Sequence, residues 1–572
     1  MTWQTEYQHW LNFEGLESSL KAELVTLSES ELEEAFGTKL SFGTAGMRGI
    51  LGPGINRMNI YTVRQASEGL AQLILSQGEK AKQSGVVIAY DSRHMSPEFA
   101  METAKVLAYH EIKAYVYESL RPTPVLSFAV RHLSASAGVM ITASHNPSEY
   151  NGYKVYGADG GQMPPADSDR LTRFVREVED PLTVQVIDSV DVIGNPLIEM
   201  IGDQVDQAYL TEVSTVTINH DLISEFQDKI KLVFTPLHGT GFYLGEKALK
   251  QAGFQNIHIV EAQKAPDGDF PTVKSPNPES EEAFDLAKEL AKEVKADIIL
   301  ATDPDADRLG AMVLNEQGDY QLLTGNQIAC LMLDYLLNAL ATSHQLPGNG
   351  VAIKSMVSTD LAKYIAESYG IELLEVLTGF KFIAEKIKNF ETSEEKTFLM
   401  GFEESYGYLI KAFTRDKDAI QALILLAELT TYHKHKGLSL GQVLNNLYKK
   451  FGYFSEITHS IVFPGISGSQ KMTQLMESIR KQPITKLNQR EVIQWIDYQA
   501  QTVSLSDGTT NKTELPKADA LKAYLDDGSW LAMRPSGTEP KLKVYVGAKA
   551  EDNDLANRKA QIMLSEISKH FE

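Results

Sequence analysis

Short apolar runs that end in loops of small and polar residues recur along the chain, and they recur in sets of three. Residues 85–90 (GVVIAY), 231–235 (KLVFT) and 350–354 (GVAIK) each read as a buried strand entering such a loop, followed by a helical pattern. A second strand follows in each set, at 114–117, 257–260 and 371–376. The third strands, 137–141, 297–302 and 397–400, run into loops that begin at Thr142, Asp303 and close to Glu403. Strands separated by helical patterns predict βαβ units, so the spacing predicts an α/β protein with three similar mixed α/β domains, each contributing one loop to a central cleft. The last stretch differs. Apolar segments at 530–533 and 541–546 flank a loop bearing Pro and Gly, and a helical pattern covers 554–570, which predicts a smaller C-terminal α+β domain. The expected domains are 1–207, 208–323, 324–449 and 450–572.

Composition fits this picture and narrows the partners. At 572 residues the chain is too long for one core, and its 43% hydrophobic content suits globular domains. A formal net charge of −22 argues against nucleic acid and against an anionic membrane surface. An anionic small molecule would need local basic groups, and the glycine-bearing loops carry Arg48, Arg308, Lys381, Lys417, Arg534 and Lys541. The single cysteine, Cys330, excludes an internal disulfide framework and lies in an apolar helical run, where it is expected in the core. The N-terminal residues lack a basic region followed by an apolar stretch, and the most apolar helical run, 329–341, is short and contains Asp334. The expectation is a cytoplasmic protein with no signal peptide and no membrane span; oligomeric state is not legible.

Two loops carry the strongest chemistry. In Asp303-Pro304-Asp305-Ala306-Asp307-Arg308 three carboxylates lie two residues apart; positions i, i+2 and i+4 share one side of an extended segment, so they are expected to converge on a small cation such as Mg2+. A calcium hand is excluded, because position 6 is Arg308 and position 12 is Leu314 where glycine and glutamate are required. A solvated acidic turn is the plainer alternative. In Thr142-Ala143-Ser144-His145-Asn146-Pro147 a serine hydroxyl follows a buried strand; it is a weak nucleophile and needs a metal or base, for which His145 is a candidate. Ser, Asn and Pro are also ordinary turn formers.

These two loops, together with Gly401-Phe402-Glu403-Glu404-Ser405-Tyr406-Gly407 and Arg534-Pro535-Ser536-Gly537-Thr538-Glu539-Pro540-Lys541, stand in the order seen in the α-D-phosphohexomutase superfamily, and the chain resembles its phosphoglucomutase/phosphopentomutase-type branch. The resemblance runs from Gly43-Thr44-Ala45-Gly46-Met47-Arg48-Gly49 to the C-terminal helix. It implies interconversion of glucose 1-phosphate and glucose 6-phosphate through a phosphoserine at Ser144, with glucose 1,6-bisphosphate as intermediate and activator. It also implies Mg2+ on Asp303, Asp305, Asp307 and a Ser144 phosphate oxygen. Ser144, His145, Lys154 and Arg48 are the implied catalytic residues. Arg308, Thr378, Gly379, Lys381, Glu403, Ser405 and Lys417 are implied for the sugar phosphate, and Arg534, Ser536, Gly537 and Thr538 for the phosphate that is not transferred. The loop His238-Gly239-Thr240-Gly241 is expected to line the cleft. Gly407 stands where dual-specificity phosphomannomutases often carry histidine, which favours glucose. Phosphomannomutase, phosphopentomutase, an aspartyl phosphatase and a non-catalytic sugar-phosphate sensor are the alternatives.

Overall fold

The structure, a computed structural model, describes residues 2–42, 46–315, 317–463, 468–536 and 541–569. Its contacts divide the chain into two units, Met1–Ile328 with Phe380–Leu440, and Ala329–Gly379 with Gly441–Glu572. Among the described residues no helix is long and apolar enough to cross a membrane.

In the first unit a six-stranded sheet runs in the order Met47–Ile50, Tyr150–Gly157, Ala137–Ile141, Val86–Tyr90, Ala114–Tyr117, Ile198–Ile201. Val86–Tyr90 pairs in parallel with Ala114–Tyr117 and Ala137–Ile141, as βαβ connections require. The sheet is covered by helices such as Ile60–Ser76 and Ser96–Tyr109, whose Leu70, Ile74, Phe99 and Leu107 fill its core. A five-stranded sheet follows, in the order Tyr320–Leu322, Leu309–Leu314, Ile298–Thr302, Leu232–Thr235, Ile257–Ile259. The strands Thr397–Glu403 and Gly407–Leu409 also belong to this unit and pair antiparallel. Each strand that leads into a candidate loop therefore returns as an antiparallel neighbour: Ala137–Ile141 with Tyr150–Gly157, Ile298–Thr302 with Leu309–Leu314, Thr397–Glu403 with Gly407–Leu409. The candidate loops are hairpin connections, held at both ends by sheet hydrogen bonds. The N-terminal helices Trp3–Asn12, Ser18–Leu24 and Glu29–Phe36 form a small separate cluster around Trp10, Phe36 and Tyr61.

The helix Ala419–His435 starts at Asp418, whose Oδ1 accepts from the backbone N–H groups of Ile420 and Gln421 at 3.0 Å each, satisfying donors that a helix start leaves open. Near the other end, burial pushes the His433 imidazole down to about 4 from an ordinary 6.5. Above pH 6.5 both folded and unfolded chains hold it neutral; between 6.5 and 4 only the unfolded chain takes up the proton, so stability falls as pH falls through that window. The contribution is at most about 3 kcal/mol. Denaturant melts of wild type and His433→Gln at pH 7 and pH 4.5 should show a smaller acid loss in the variant. Equal losses would contradict this assignment.

In the second unit Gly350–Ser355 pairs in parallel with Glu372–Val376, and the C-terminal part is an antiparallel sheet ordered Tyr453–Val462, Lys541–Ala550, Trp530–Pro535, Leu521–Leu525, Arg490–Asp497, Thr502–Leu505, Thr510–Lys512. The helix Asn553–Ser568 lays Ala560, Met563 and Ile567 on this sheet. A buried charge cluster joins its parts: Glu375 Oε2 accepts from Lys522 Nζ at 2.9 Å and from Lys354 Nζ at 3.0 Å. Cys330 is buried, as its apolar surroundings imply.

Candidate active site

Ser144 lies in the hairpin connection that follows Ala137–Ile141, a strand buried along its whole length. Its backbone N–H donates to Thr142 Oγ1 at 2.8 Å, and its φ of 52° places a non-glycine residue in the left-handed region. That conformation costs roughly 1–2 kcal/mol and persists only where its surroundings enforce it. Part of the enforcement is close packing at Gly152, where a Cβ would lie 2.5 Å from the Thr142 carbonyl oxygen. The hydroxyl is turned inward: Ser144 is 3% exposed, and Oγ donates to Asp303 Oδ2 at 2.6 Å, with His145 Nδ1 at 3.2 Å. The serine and the acidic loop, 159 residues apart in sequence, are thus in direct contact.

The acidic loop converges by a different route from the one expected. The segment is a tight turn and not an extended strand, with Ala306 at φ 49°. Asp303 Oδ1 accepts from the backbone N–H groups of Asp307 at 3.1 Å and Arg308 at 3.0 Å, which folds the loop onto its own first carboxylate. Each of the three aspartates offers an oxygen within 4.8 Å of the other two, and all three are buried. Asp305 Oδ1 and Asp307 Oδ1 are buried with no hydrogen-bond partner. Hard carboxylate oxygens, clustered and unsatisfied, fit a small divalent cation. Burial, with the Asp305 and Asp307 charges added, pushes the Asp303 carboxyl well above the usual carboxylate range. Burial acts the same way on Asp305, but Lys154 overrides it and holds that carboxyl below the usual range.

Cations ring this cluster despite the acidic whole. Lys154, on strand Tyr150–Gly157, is buried and its Nζ lies 2.8 Å from Asp305 Oδ2. Lys417 Nζ lies 3.0 Å from Asp307 Oδ2 and 3.2 Å from Asp416 Oδ1; burial lowers its pKa, but Asp307, Asp416 and Glu403 raise it by more, so it stays charged. Arg308 pairs with Glu279, and Arg48, exposed at the surface, donates to Asn146 Oδ1 at 2.8 Å. His145 is pushed well below its ordinary value, first by burial and then by Arg308 and Arg48, so the imidazole is neutral. Glu403 is buried at the end of strand Thr397–Glu403, and Ser405 follows in the hairpin loop. That hairpin is pinned to the acidic loop through Leu309 N–H to the Tyr406 carbonyl at 3.0 Å and a bridge between Arg308 and Gly407.

Residues of the first unit brought together are therefore Ser144, His145, Lys154, Asp303, Asp305, Asp307, Arg308 and Lys417. Lys381 instead sets its Nζ over the Phe382 ring of its own helix, 5.2 Å from the centroid. The loop 238–241, expected to line a cleft, supports the acidic loop: Thr240 N–H and Oγ1 both donate to the Pro304 carbonyl, at 2.8 and 2.9 Å, and a Cβ on Gly239 would lie 2.3 Å from Pro304 Cα. In the second unit Arg534 donates to Thr378 Oγ1, beside Gly379, and Ser536 N–H donates to the Lys541 carbonyl at 2.7 Å. Gly537 and Thr538, like residues 43–45 of the first motif, lie outside the described residues. Two residues to which the sequence alone gave no role in the site bear on it. Asp416, which anchors Lys417, accepts from Tyr156 Oη at 2.8 Å and Gln162 Nε2 at 3.0 Å. Arg93 underlies the Ser144 loop. The signal for Arg93 was the segment Asp91-Ser92-Arg93 at the C-terminal end of the first strand, where open α/β sheets place functional loops.

The sequence and the fold are similar to those of known proteins. The phosphoglucomutase/phosphomannomutase family models match in sequence: alpha/beta/alpha domain I over residues 39–181, domain II over 207–317, domain III over 324–451 and the C-terminal domain over 483–565. A phosphoglucomutase of Staphylococcus epidermidis is 39% identical over 534 residues, which cover 93% of this chain and 95% of that one. One of Staphylococcus aureus is 38% identical over 539 residues, 94% of each chain. Among solved structures, a putative phosphomannomutase from Thermus thermophilus superposes with a TM-score of 0.67 at 21% identity, covering 93% of this chain and 99% of that one. The open form of Paramecium pp63/parafusin, a phosphoglucomutase, gives 0.65 at 17% identity, covering 93% and 95%. At those identities the superpositions establish a shared fold. The family models and the relatives near 38% identity establish more: the chain belongs to the phosphoglucomutase/phosphomannomutase family, a family of isomerases that are intramolecular phosphotransferases.

Proposed function

We propose that this enzyme interconverts glucose 1-phosphate and glucose 6-phosphate, with Ser144 as the phosphoryl carrier and glucose 1,6-bisphosphate as the intermediate. One observation carries the reading: a buried serine hydroxyl donates to the first of three clustered aspartates at 2.6 Å. The Staphylococcus relatives at 38–39% identity, each a phosphoglucomutase, support glucose as the sugar.

In the forward direction a sugar hydroxyl oxygen attacks the phosphorus of phospho-Ser144; the new O–P bond forms as the Oγ–P bond breaks, leaving a bisphosphate and a free serine. The sugar hydroxyl gives up a proton and Ser144 Oγ gains one. His145, neutral and with Nδ1 3.2 Å from Oγ, would accept the serine proton when Oγ attacks the second phosphoryl group of the bisphosphate. Asp303, Asp305, Asp307 and a phosphate oxygen on Ser144 would hold Mg2+, which when bound neutralises charge on the phosphoryl oxygens. Lys154, Arg48 and Arg308 offset charge on the group in transfer, with Lys154 also a proton carrier toward the sugar. Glu403 and Ser405 accept and donate to sugar hydroxyls, with Lys417 and Lys381 toward the sugar phosphate. Arg534, Ser536, Gly537 and Thr538, together with Thr378 and Gly379, hold the phosphate at rest.

The test is turnover of glucose 1-phosphate with Mg2+ and catalytic glucose 1,6-bisphosphate, following glucose 6-phosphate and inorganic phosphate together. Product should appear with no matching phosphate release. Phosphate released in proportion to substrate lost would make the protein a phosphatase, and faster turnover of mannose 1-phosphate or ribose 1-phosphate would move the substrate to those sugars.

A further inference from the structure

We propose that Arg93 is a positioning residue for the phosphoryl carrier, its guanidinium clamping the backbone of the Ser144 loop so that the serine hydroxyl stays on the acidic loop. The inference rests on the reading of Ser144 as that carrier. Arg93 is 1% exposed, so it has no surface to offer a substrate. Its side chain instead donates to four main-chain carbonyls of one loop: Nη2 to Ser144 at 2.6 Å and to Asn146, Nη1 to Pro147 at 2.7 Å and to Tyr150 at 2.9 Å.

The guanidinium is itself held on two sides. Asp91 Oδ2 lies 3.4 Å from Nε, while Asp91 Oδ1 accepts from the Arg93 backbone N–H at 3.0 Å and from Ser96 Oγ at 2.9 Å. The Phe270 ring, buried, covers the guanidinium with its centroid 5.0 Å from Cζ. The chain reaches the loop again five residues after Phe270, where Ser275 Oγ donates to the His145 carbonyl at 2.8 Å. A planar fork of five N–H donors can serve four carbonyls that diverge from one point; an ammonium, with three donors on a flexible stem, cannot. This explains how Ser144 is kept at φ 52°, and a loop held less firmly would let Oγ drift from Asp303.

The experiment compares wild type, Arg93→Lys, Phe270→Leu and Ser144→Ala, each incubated with Mg2+ and glucose 1,6-bisphosphate carrying labelled phosphate, and reads both the rate and the final stoichiometry of label on the protein. Arg93→Lys is expected to reach the wild-type stoichiometry at a rate lower by about 10- to 100-fold, because displacement of a reacting atom by an ångström costs that much. Its KM for glucose 1-phosphate should stay within about threefold, since sugar-binding groups are untouched. A purely structural role would lower the stoichiometry and leave the rate of the labelled fraction at the wild-type value; that result, or a wild-type rate at full stoichiometry, overturns the proposal alone. If Arg93→Lys does not fold, Phe270→Leu decides: a rate about 3- to 10-fold lower at full stoichiometry supports the clamp, and an unchanged rate overturns it. Label on Ser144→Ala equal to wild type would remove the carrier reading and the proposal with it.

Discussion

Replacing Ser144 by alanine is expected to lower kcat/KM for glucose 1-phosphate by about 10^4-fold or more, a loss of over 5 kcal/mol in transition-state stabilisation. The size follows from what is removed. The Oγ atom is the group that bonds to phosphorus in this reading, and among the described residues no other hydroxyl is hydrogen-bonded to Asp303 in the same way: Thr123 Oγ1 reaches Asp305 Oδ2 at 2.8 Å but is buried as a loop tie, beside its own N–H to the Asp305 carbonyl at 2.8 Å. The fold should survive, because the left-handed backbone at Ser144 is enforced by neighbours and not by its side chain. Steady-state kinetics with far-ultraviolet circular dichroism on the same preparation checks both halves. Retained activity in Ser144→Ala would point to an aspartyl carrier or to a different site.

The second large effect concerns the carboxylates. Asp305→Asn should lower kcat by about 10^3-fold, and a chelator should abolish wild-type activity until Mg2+ is returned. Asp305 contributes a free oxygen to the cluster and a charge partner to Lys154, so the amide weakens the cation site and places a donor beside an ammonium. A thermal melt separates these consequences. A ligand that binds only the folded state at 100 times its Kd stabilises by about 2.7 kcal/mol, so Mg2+ should raise the wild-type Tm and leave Asp305→Asn nearly unmoved. Equal Tm shifts in both proteins would mean that the three aspartates are not the cation site.

The parts of the fold legible in sequence were those with a strong period. The third strands, observed at Ala137–Ile141 and Ile298–Thr302, are largely apolar runs buried along their length, and a run of that kind is visible without any neighbour. Their antiparallel returns were not. Tyr150–Gly157 mixes Gly, Asn, Lys and Tyr, and only its place between two strands makes it part of a sheet. The N-terminal helices and the short polar strands of the C-terminal sheet, such as Thr510–Lys512, had too little apolar pattern to declare themselves. For the site, type and spacing pointed to Ser144 and the three aspartates, but the expected mode of convergence was wrong: the carboxylates meet through a turn closed by Asp303 on the N–H groups of Asp307 and Arg308. Arg93 and Asp416 were given no part in the site, because the segments that carry them mark loops without showing what their charged groups hold. Their partners are carbonyls and a tyrosine far along the chain, contacts that no local pattern encodes.

Every other role in the site depends on phosphorus being carried on Ser144. Peptide mass analysis of the protein after incubation with glucose 1,6-bisphosphate and Mg2+ tests it most directly. One phosphate on Ser144, retained through turnover of added glucose 1-phosphate because the bisphosphate returns a phosphoryl group to the same serine, is the expected result. Phosphate on Asp303, Asp305 or Asp307, or none on the chain while turnover proceeds, would contradict it.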